Sequence, residues 1–358
     1  MSNSNAKSYK SRALSALLLL ASLASPHGAL ALTAAPAQGG QLTEAGVAQL
    51  VERARRGSLG AEEFAGAVAV GHALVAGRRF GEAAELFDAL VRARPSDRAA
   101  LYGAALATFN AGRAADAEPL ARRAAEAALA EGRARGREAE AADALVLLAV
   151  VLAVRGDGAG ALEASARAAA LAPDNFDARL THGRALYGAG DDRAAARAFR
   201  AAAALRPGDP RPLFFLASAL ERAGDGAGAL AAYRELAAAQ PRASEGHLGL
   251  GALLVKRGGA EAEEGIKALG RAVEIDPDLY EARVTLGRAL VARGRAAEAV
   301  EHLRRAAALA PGNPEPHYQL SLAYRRLGRK EEAAAESALV KRINESRRAG
   351  AAPPSPEH

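Results

Sequence analysis

Small and large apolar residues recur along this chain on a 34-residue beat, with polar positions between them. One set is small: Ala105, Ala149, Gly183, Ala217, Gly251, Gly287 and Ser321. Seven residues after each comes a glycine: Gly112, Gly156, Gly190, Gly224, Gly258, Gly294 and Gly328. Five residues further on a second small residue recurs, as Ala117, Ala161, Ala195, Ala229, Ala299 and Ala333. A large residue follows one helical turn later at Phe87, Phe199, Tyr233, Leu269 and Leu303. Pro95, Pro173, Pro207, Pro241, Pro277 and Pro311 close the period, with gaps of 78, 34, 34, 36 and 34 residues. This spacing predicts an array of helix–turn–helix repeats. Small residues let two antiparallel helices approach where their axes cross, and the larger residue fills the space toward the next repeat. Proline ends the second helix because it lacks an N–H and clashes with the preceding turn.

The departures from the beat are also informative. The unit at about 98–141 lacks its proline and is longer, with the excess around Gly132 to Gly136, which predicts a longer second helix or a loop. Another unit carries two extra residues near Gly258-Gly259, and Gly265 replaces its usual alanine. In the first unit Gly77 falls one position early. A helix at about Thr43 to Arg56 should cap the array.

This pattern resembles the tetratricopeptide repeat (TPR) family. The resemblance rests on segments such as Leu286-Gly287-Arg288-Ala289-Leu290 with Gly294, Glu298-Ala299, Leu303, Ala306 and Pro311. Leu322-Ala323-Tyr324 with Gly328 and Glu332-Ala333 is a second clear copy. Eight repeat-like units cover about residues 64–345. The resemblance implies an all-α, right-handed superhelical solenoid of antiparallel helix pairs whose first helices line a concave groove. On that implication the groove residues are Tyr102, Phe109, Asn110, Arg184, Tyr187, Phe214, Arg222, Arg288, Tyr318 and Arg325. Tyr and Arg are frequent interface anchors, and Arg holds carboxylates bidentately. The implied ligand is therefore a protein or peptide segment with some acidic character. The Lys and Asn, four residues apart, of the chaperone-tail-binding members are absent. Val68 and His72, or Tyr102 and Leu106, occupy those places.

The N-terminus reads as an export signal. Lys7, Lys10 and Arg12 precede the apolar run Ala13 to Ala24, and Ala29-Leu30-Ala31 is a small-x-small cleavage site. The competing reading is an uncleaved membrane anchor over residues 13–37, which contain no charged side chain. The expected organisation is a signal at 1–31, a linker at 32–41, a capping helix at 42–63, the array at 64–345 and a disordered, Pro-rich tail at 346–358. The expected location is periplasmic or secreted, with membrane contact only if the first segment stays uncleaved.

Composition narrows the chemistry. With no cysteine among 358 residues, disulfides, thiolate metal sites and thiol catalysis are excluded. The formal charge of +6 owes half its value to the three cations of the N-terminal segment, too little for a nucleic-acid face. Gly156-Asp157-Gly158-Ala159-Gly160 suggests a phosphate loop, yet the same heptamer recurs at Gly224 to Leu230, two periods on. A repeat turn explains both copies. Gly246-x-x-Gly249-x-Gly251 lies within an expected helix and reads as packing. His27, His72, His182, His247, His302, His317 and His358 show no metal-ligand spacing and are expected at the surface or in the groove. No Gly-x-Ser-x-Gly setting occurs. The sequence therefore implies a non-catalytic binding scaffold, with no cofactor, metal or nucleic acid expected.

Overall fold

The computed structural model describes residues 43–349. The export signal, the linker and residues 350–358 of the tail lie outside the described residues. Seventeen α-helices and one 3-10 turn account for the described residues, with no strand among them. They fall in two units divided at Asp191.

The first unit contains α1 (Glu44–Arg55), α2 (Ala61–Ala76), α3 (Phe80–Ala93), α4 (Arg98–Asn110), α5 (Ala114–Arg135), a 3-10 turn (Glu138–Ala141), α6 (Ala142–Val154), α7 (Gly158–Leu171) and α8 (Phe176–Ala189). Helix α1 starts from a Thr43 cap, whose hydroxyl accepts from the Gly46 N–H, and packs on α3. The array then begins at Ala61, ahead of the boundary at 64, because Gly60 ends the turn and Glu63 accepts its N–H. Phe87 is the pivot of the first core. It is fully buried, and a Cβ at Gly71 of α2 or Gly103 of α4 would strike its ring.

The long second repeat resolves into a longer helix followed by the 3-10 turn. Helix α5 runs 22 residues to a left-handed Gly136. The chain then folds back so closely that a Cβ on Gly132 would lie 2.9 Å from the Glu138 Cα. Arg98 ties this insertion down through Glu131 at 3.3 Å and Glu140 at 3.5 Å.

The second unit contains α9 (Asp192–Leu205), α10 (Arg211–Arg222), α11 (Gly226–Ala239), α12 (Ser244–Arg257), α13 (Glu261–Ile275), α14 (Tyr280–Ala292), α15 (Ala296–Leu309), α16 (Pro314–Arg326) and α17 (Lys330–Ala349). The last helix passes the expected end at 345. Arg347 and Arg348 in its final turn suit the negative end of the helix dipole.

The turn glycines behave as their spacing predicts. Gly112, Gly156, Gly190, Gly224, Gly258, Gly294 and Gly328 all have positive φ. In the first unit the equivalent position is Arg78, at φ 60, while Gly77 is ordinary. The duplicated heptamer is a helix cap. Asp157 and Asp225 accept from the Gly160 and Gly228 N–H groups at 2.9 and 2.8 Å. A Cβ at either glycine would press on that carboxylate.

The glycines of α12 are packing residues, as the sequence implies. A Cβ on Gly246 would meet the Ala237 backbone, and one on Gly249 the Tyr233 ring, both on α11. Gly251 faces α13. A further joint recurs between repeats. Arg179 Nε donates to the Pro173 carbonyl at 2.8 Å, and Arg283 Nε donates to that of Pro277. His247 Nε2 lies 3.4 Å from that of Pro241. Each side chain reaches back six residues to a carbonyl left without a helical partner.

Candidate protein-binding face

Within each unit, first helices of successive repeats touch one another: α2 with α4, α4 with α6, and α6 with α8, then α12 with α14 and α14 with α16. They build a shared surface within each unit. Helix α16 shows how sequence selects it. Pro316, His317, Gln319, Leu320, Ser321, Ala323 and Tyr324 are buried, leaving Tyr318, Arg325 and Arg326 exposed and Glu315 and Leu322 half-buried. Steps of three and four residues keep these on one stripe.

Phe214 and Tyr318 are the most open of the aromatic residues expected here, at 38% and 49% exposure. Phe214 stands edge-on to Phe215, whose ring stacks on buried Phe199 at 5.3 Å. Arg288 is exposed on α14. Arg184 and Tyr187 are half-buried and already engaged within the fold. Tyr102 and Phe109 are half-buried and pack into the first unit's cores.

Three of the expected polar contacts are used internally. Arg222 pairs with Asp192 at 3.1 Å, Arg325 donates to the Ser337 hydroxyl at 3.3 Å, and Asn110 donates to the Leu106 carbonyl at 2.8 Å. The structure thus leaves Arg288 as the exposed arginine of the expected set for which no partner is seen among the described residues.

The charge that stands out on this face is negative, and the residue-type reading missed it. Asp143, Asp177, Glu245, Glu281 and Glu315 each occupy the first turn of a first helix. Burial raises the Asp143 carboxyl above its ordinary range; the Asn175 amide, donating at 3.0 Å, opposes this and the Asp177 charge adds to it. Burial and both carboxylates also raise the Tyr102 hydroxyl. The second unit repeats the arrangement. Tyr280 is pushed up to about 12 by burial and by Glu315 and Glu281, with Asn313 and Arg347 opposing the shift. The signal was available in sequence as an acid at the second position of each of these helices. It reads there as ordinary complementarity to a helix N-terminus.

Of the described histidines only His317 is buried; His72, His182, His247 and His302 are half-buried. His72 lies edge-on to Phe87 with ring centres 5.2 Å apart, His182 lies 3.4 Å from the Ser165 hydroxyl, and His302 lies 3.5 Å from Arg283. His317 is 6% exposed and bonds Glu336 at 2.7 Å. Among the described residues no group of three acidic or imidazole side chains could hold a metal, and no helix is long and apolar enough to cross a membrane. An open depression of about 410 Å³ is lined by Ala48, Gln49, Glu52, Arg53 and Arg56. Four of the five belong to α1 and Arg56 caps it, so nothing encloses a ligand there.

Comparison with known proteins agrees with this architecture. Models described as tetratricopeptide repeat match residues 69–129, 180–244, 216–280 and 314–346, and one described as TPR repeat matches 287–328. PilF of Pseudomonas aeruginosa is 16% identical, covering 59% of this chain and 98% of its own, at a TM-score of 0.49. YrrB, described as a TPR protein with an unusual peptide-binding site, is 18% identical, covering 52% and 95%, at 0.46. MamA of Desulfovibrio magneticus RS-1 is 21% identical, covering 48% and 96%, at 0.45. These likenesses concern the fold. No curated protein matches the chain.

Proposed function

The chain belongs to the tetratricopeptide repeat family, and from that premise we propose that it is an exported, non-catalytic adaptor holding a protein or peptide partner against its first helices. The observation that carries the reading is the exposure of Phe214 and Tyr318, two large aromatic side chains in equivalent register on first helices. Burying such rings in an interface yields more than most contacts. Lys7, Lys10 and Arg12, the apolar run at 13–24 and the Ala29-Leu30-Ala31 site support export. The partner would then be met in the periplasm or outside the cell.

Affinity capture from the envelope fraction tests the binding role. Native protein is compared with a variant carrying Phe214→Ala, Arg288→Ala and Tyr318→Ala. A partner held by the native chain and lost by the folded variant is expected. Equal retention would place binding elsewhere.

The charge-free stretch at 13–37 favours a second reading, a membrane-tethered subunit of an envelope machine. Intact mass of the natural protein separates the two. Loss of residues 1–31 supports export with cleavage, and an intact N-terminus supports tethering.

A further inference from the structure

First-turn acids in this protein come in two kinds. On four second helices one of them is matched to an arginine three residues earlier, although Glu331 of α17 makes no salt bridge among the described residues. Arg79 pairs with Glu82 at 2.5 Å, Arg113 with Asp116 at 3.8 Å, Arg295 with Glu298 at 2.7 Å, and Arg329 with Glu332. On the first helices of the second unit they are not. Glu245, Glu281 and Glu315 make no salt bridge among the described residues, and Glu315 accepts only the Gln319 amide at 3.1 Å. Dipole complementarity explains an acid at either kind of helix start, but not why one kind is matched and the other left open.

The three carboxylates form one edge of an apolar stripe. Glu245, Glu281 and Glu315 each stand three residues before Leu248, Val284 and Tyr318, of which Tyr318 is exposed, Leu248 half-buried and Val284 buried, and exposed Phe214 holds the same register one period earlier. Helix α14 touches both α12 and α16, so the three steps are neighbours in space. Glu281 and Glu315 are each the second residue of helices that pack on one another, α14 and α16. Arg347 of α17 is the cation that reaches Tyr280. Of the cations expected to draw an acidic ligand, Arg222 is neutralised by Asp192, while Arg288 and Arg325 keep their charge and stand toward the other end of the helices that carry Glu281 and Glu315.

We propose that this face of the second unit docks a partner segment of apolar and basic residues. Its apolar side chains would seat on Phe214, Leu248 and Tyr318, and its Lys or Arg side chains would pair with Glu245, Glu281 and Glu315. The proposal rests on the first-helix face being the binding face, and reverses the charge that residue type alone implies for the ligand. Exposed pairs of this kind are salt-sensitive, so the complex weakens as ionic strength rises.

The test is fluorescence anisotropy with the full-length chain and two short labelled peptides, one of Lys and Leu and one of Glu and Leu. The native protein should bind the Lys/Leu peptide and not the Glu/Leu peptide. A Glu245→Gln, Glu281→Gln, Glu315→Gln variant should bind it about ten-fold more weakly, the sum expected for three exposed pairs. A control with Glu82→Gln and Glu298→Gln should bind as the native chain does. Undiminished binding by the triple variant, or no binding of the Lys/Leu peptide, overturns the proposal. Preference for the Glu/Leu peptide, lost on Phe214→Ala with Tyr318→Ala, overturns the charge assignment and leaves the binding face standing. Binding of either peptide that ignores Phe214 and Tyr318 takes down both. Circular dichroism on each variant confirms that the helices are intact.

Discussion

Gly251 and Gly265 face each other across the α12–α13 crossing so closely that neither position has room for a side chain. A Cβ on Gly251 would lie 2.8 Å from the Gly265 carbonyl oxygen, and one on Gly265 would lie 2.9 Å from that of Gly251. The obstacle is backbone on both sides, so no rotamer change relieves it.

Gly251→Ala and Gly265→Ala should therefore each destabilise the second unit by about 1–3 kcal/mol, the range for overpacking a filled core. Gly270→Ala, on the same α13 with open space beside it, should instead stabilise by about 1 kcal/mol through helix propensity. Urea denaturation followed by circular dichroism reads all three. A destabilising Gly270→Ala, or a neutral Gly251→Ala, would contradict the packing.

Arg78 is the one non-glycine among the described residues with positive φ. A left-handed residue with a Cβ costs about 1–2 kcal/mol. Arg78→Gly should raise stability by about 1 kcal/mol, and Gly294→Ala, at the equivalent turn, should lower it by a similar amount. Paired denaturation curves decide the sign.

Acid should weaken the fold. Burial lowers the imidazole pKa values of His72, His182 and His302, with the neighbouring Arg179 and Arg283 adding to the effect at the latter two. In the unfolded chain these groups take up protons near the ordinary value of about 6.5, while the folded chain resists until lower pH. Stability is therefore full above that value and falls as pH drops through it toward the depressed folded values. The urea midpoint should be lower at pH 5 than at pH 7.5, and His72→Leu should reduce that difference. An unchanged midpoint would mean these rings meet solvent.

Phe214→Ala and Tyr318→Ala should each change stability by only about 0.5 kcal/mol, since both side chains are largely exposed. Phe87→Ala, by contrast, should cost about 3–5 kcal/mol. Thermal melts separate the two groups. A large loss at Phe214 or Tyr318 would make those rings structural and remove the ground for a binding role.

The repeat could be read from sequence because its markers are local. A glycine at a left-handed turn, an alanine at a helix crossing and a proline after a helix each act through their own backbone or size. Gly190 and Gly328 announce themselves in this way. Arg78 does not, because nothing in its side chain reveals the backbone it tolerates. The site was less legible for a related reason. Arg222 and Arg288 look alike in sequence, and only the structure shows that the first is held by Asp192. The arginine three residues before Glu82, Glu298 or Glu332 is a local relation and was legible, whereas the arginine spent on Asp192 lies a helix away.

The side chains of Arg179, His247 and Arg283 reach back to the proline carbonyl that closes the preceding period, always from six residues downstream. Each joint is thus specified by a stretch shorter than one period and owes nothing to the identity of distant repeats. A chain built on such self-contained joints can gain or lose a whole period by duplication or deletion without a new junction having to evolve. Partner reach, set by the number of exposed steps on the first helices, can then change by gene-level copying while the fold of every remaining repeat stays as it was.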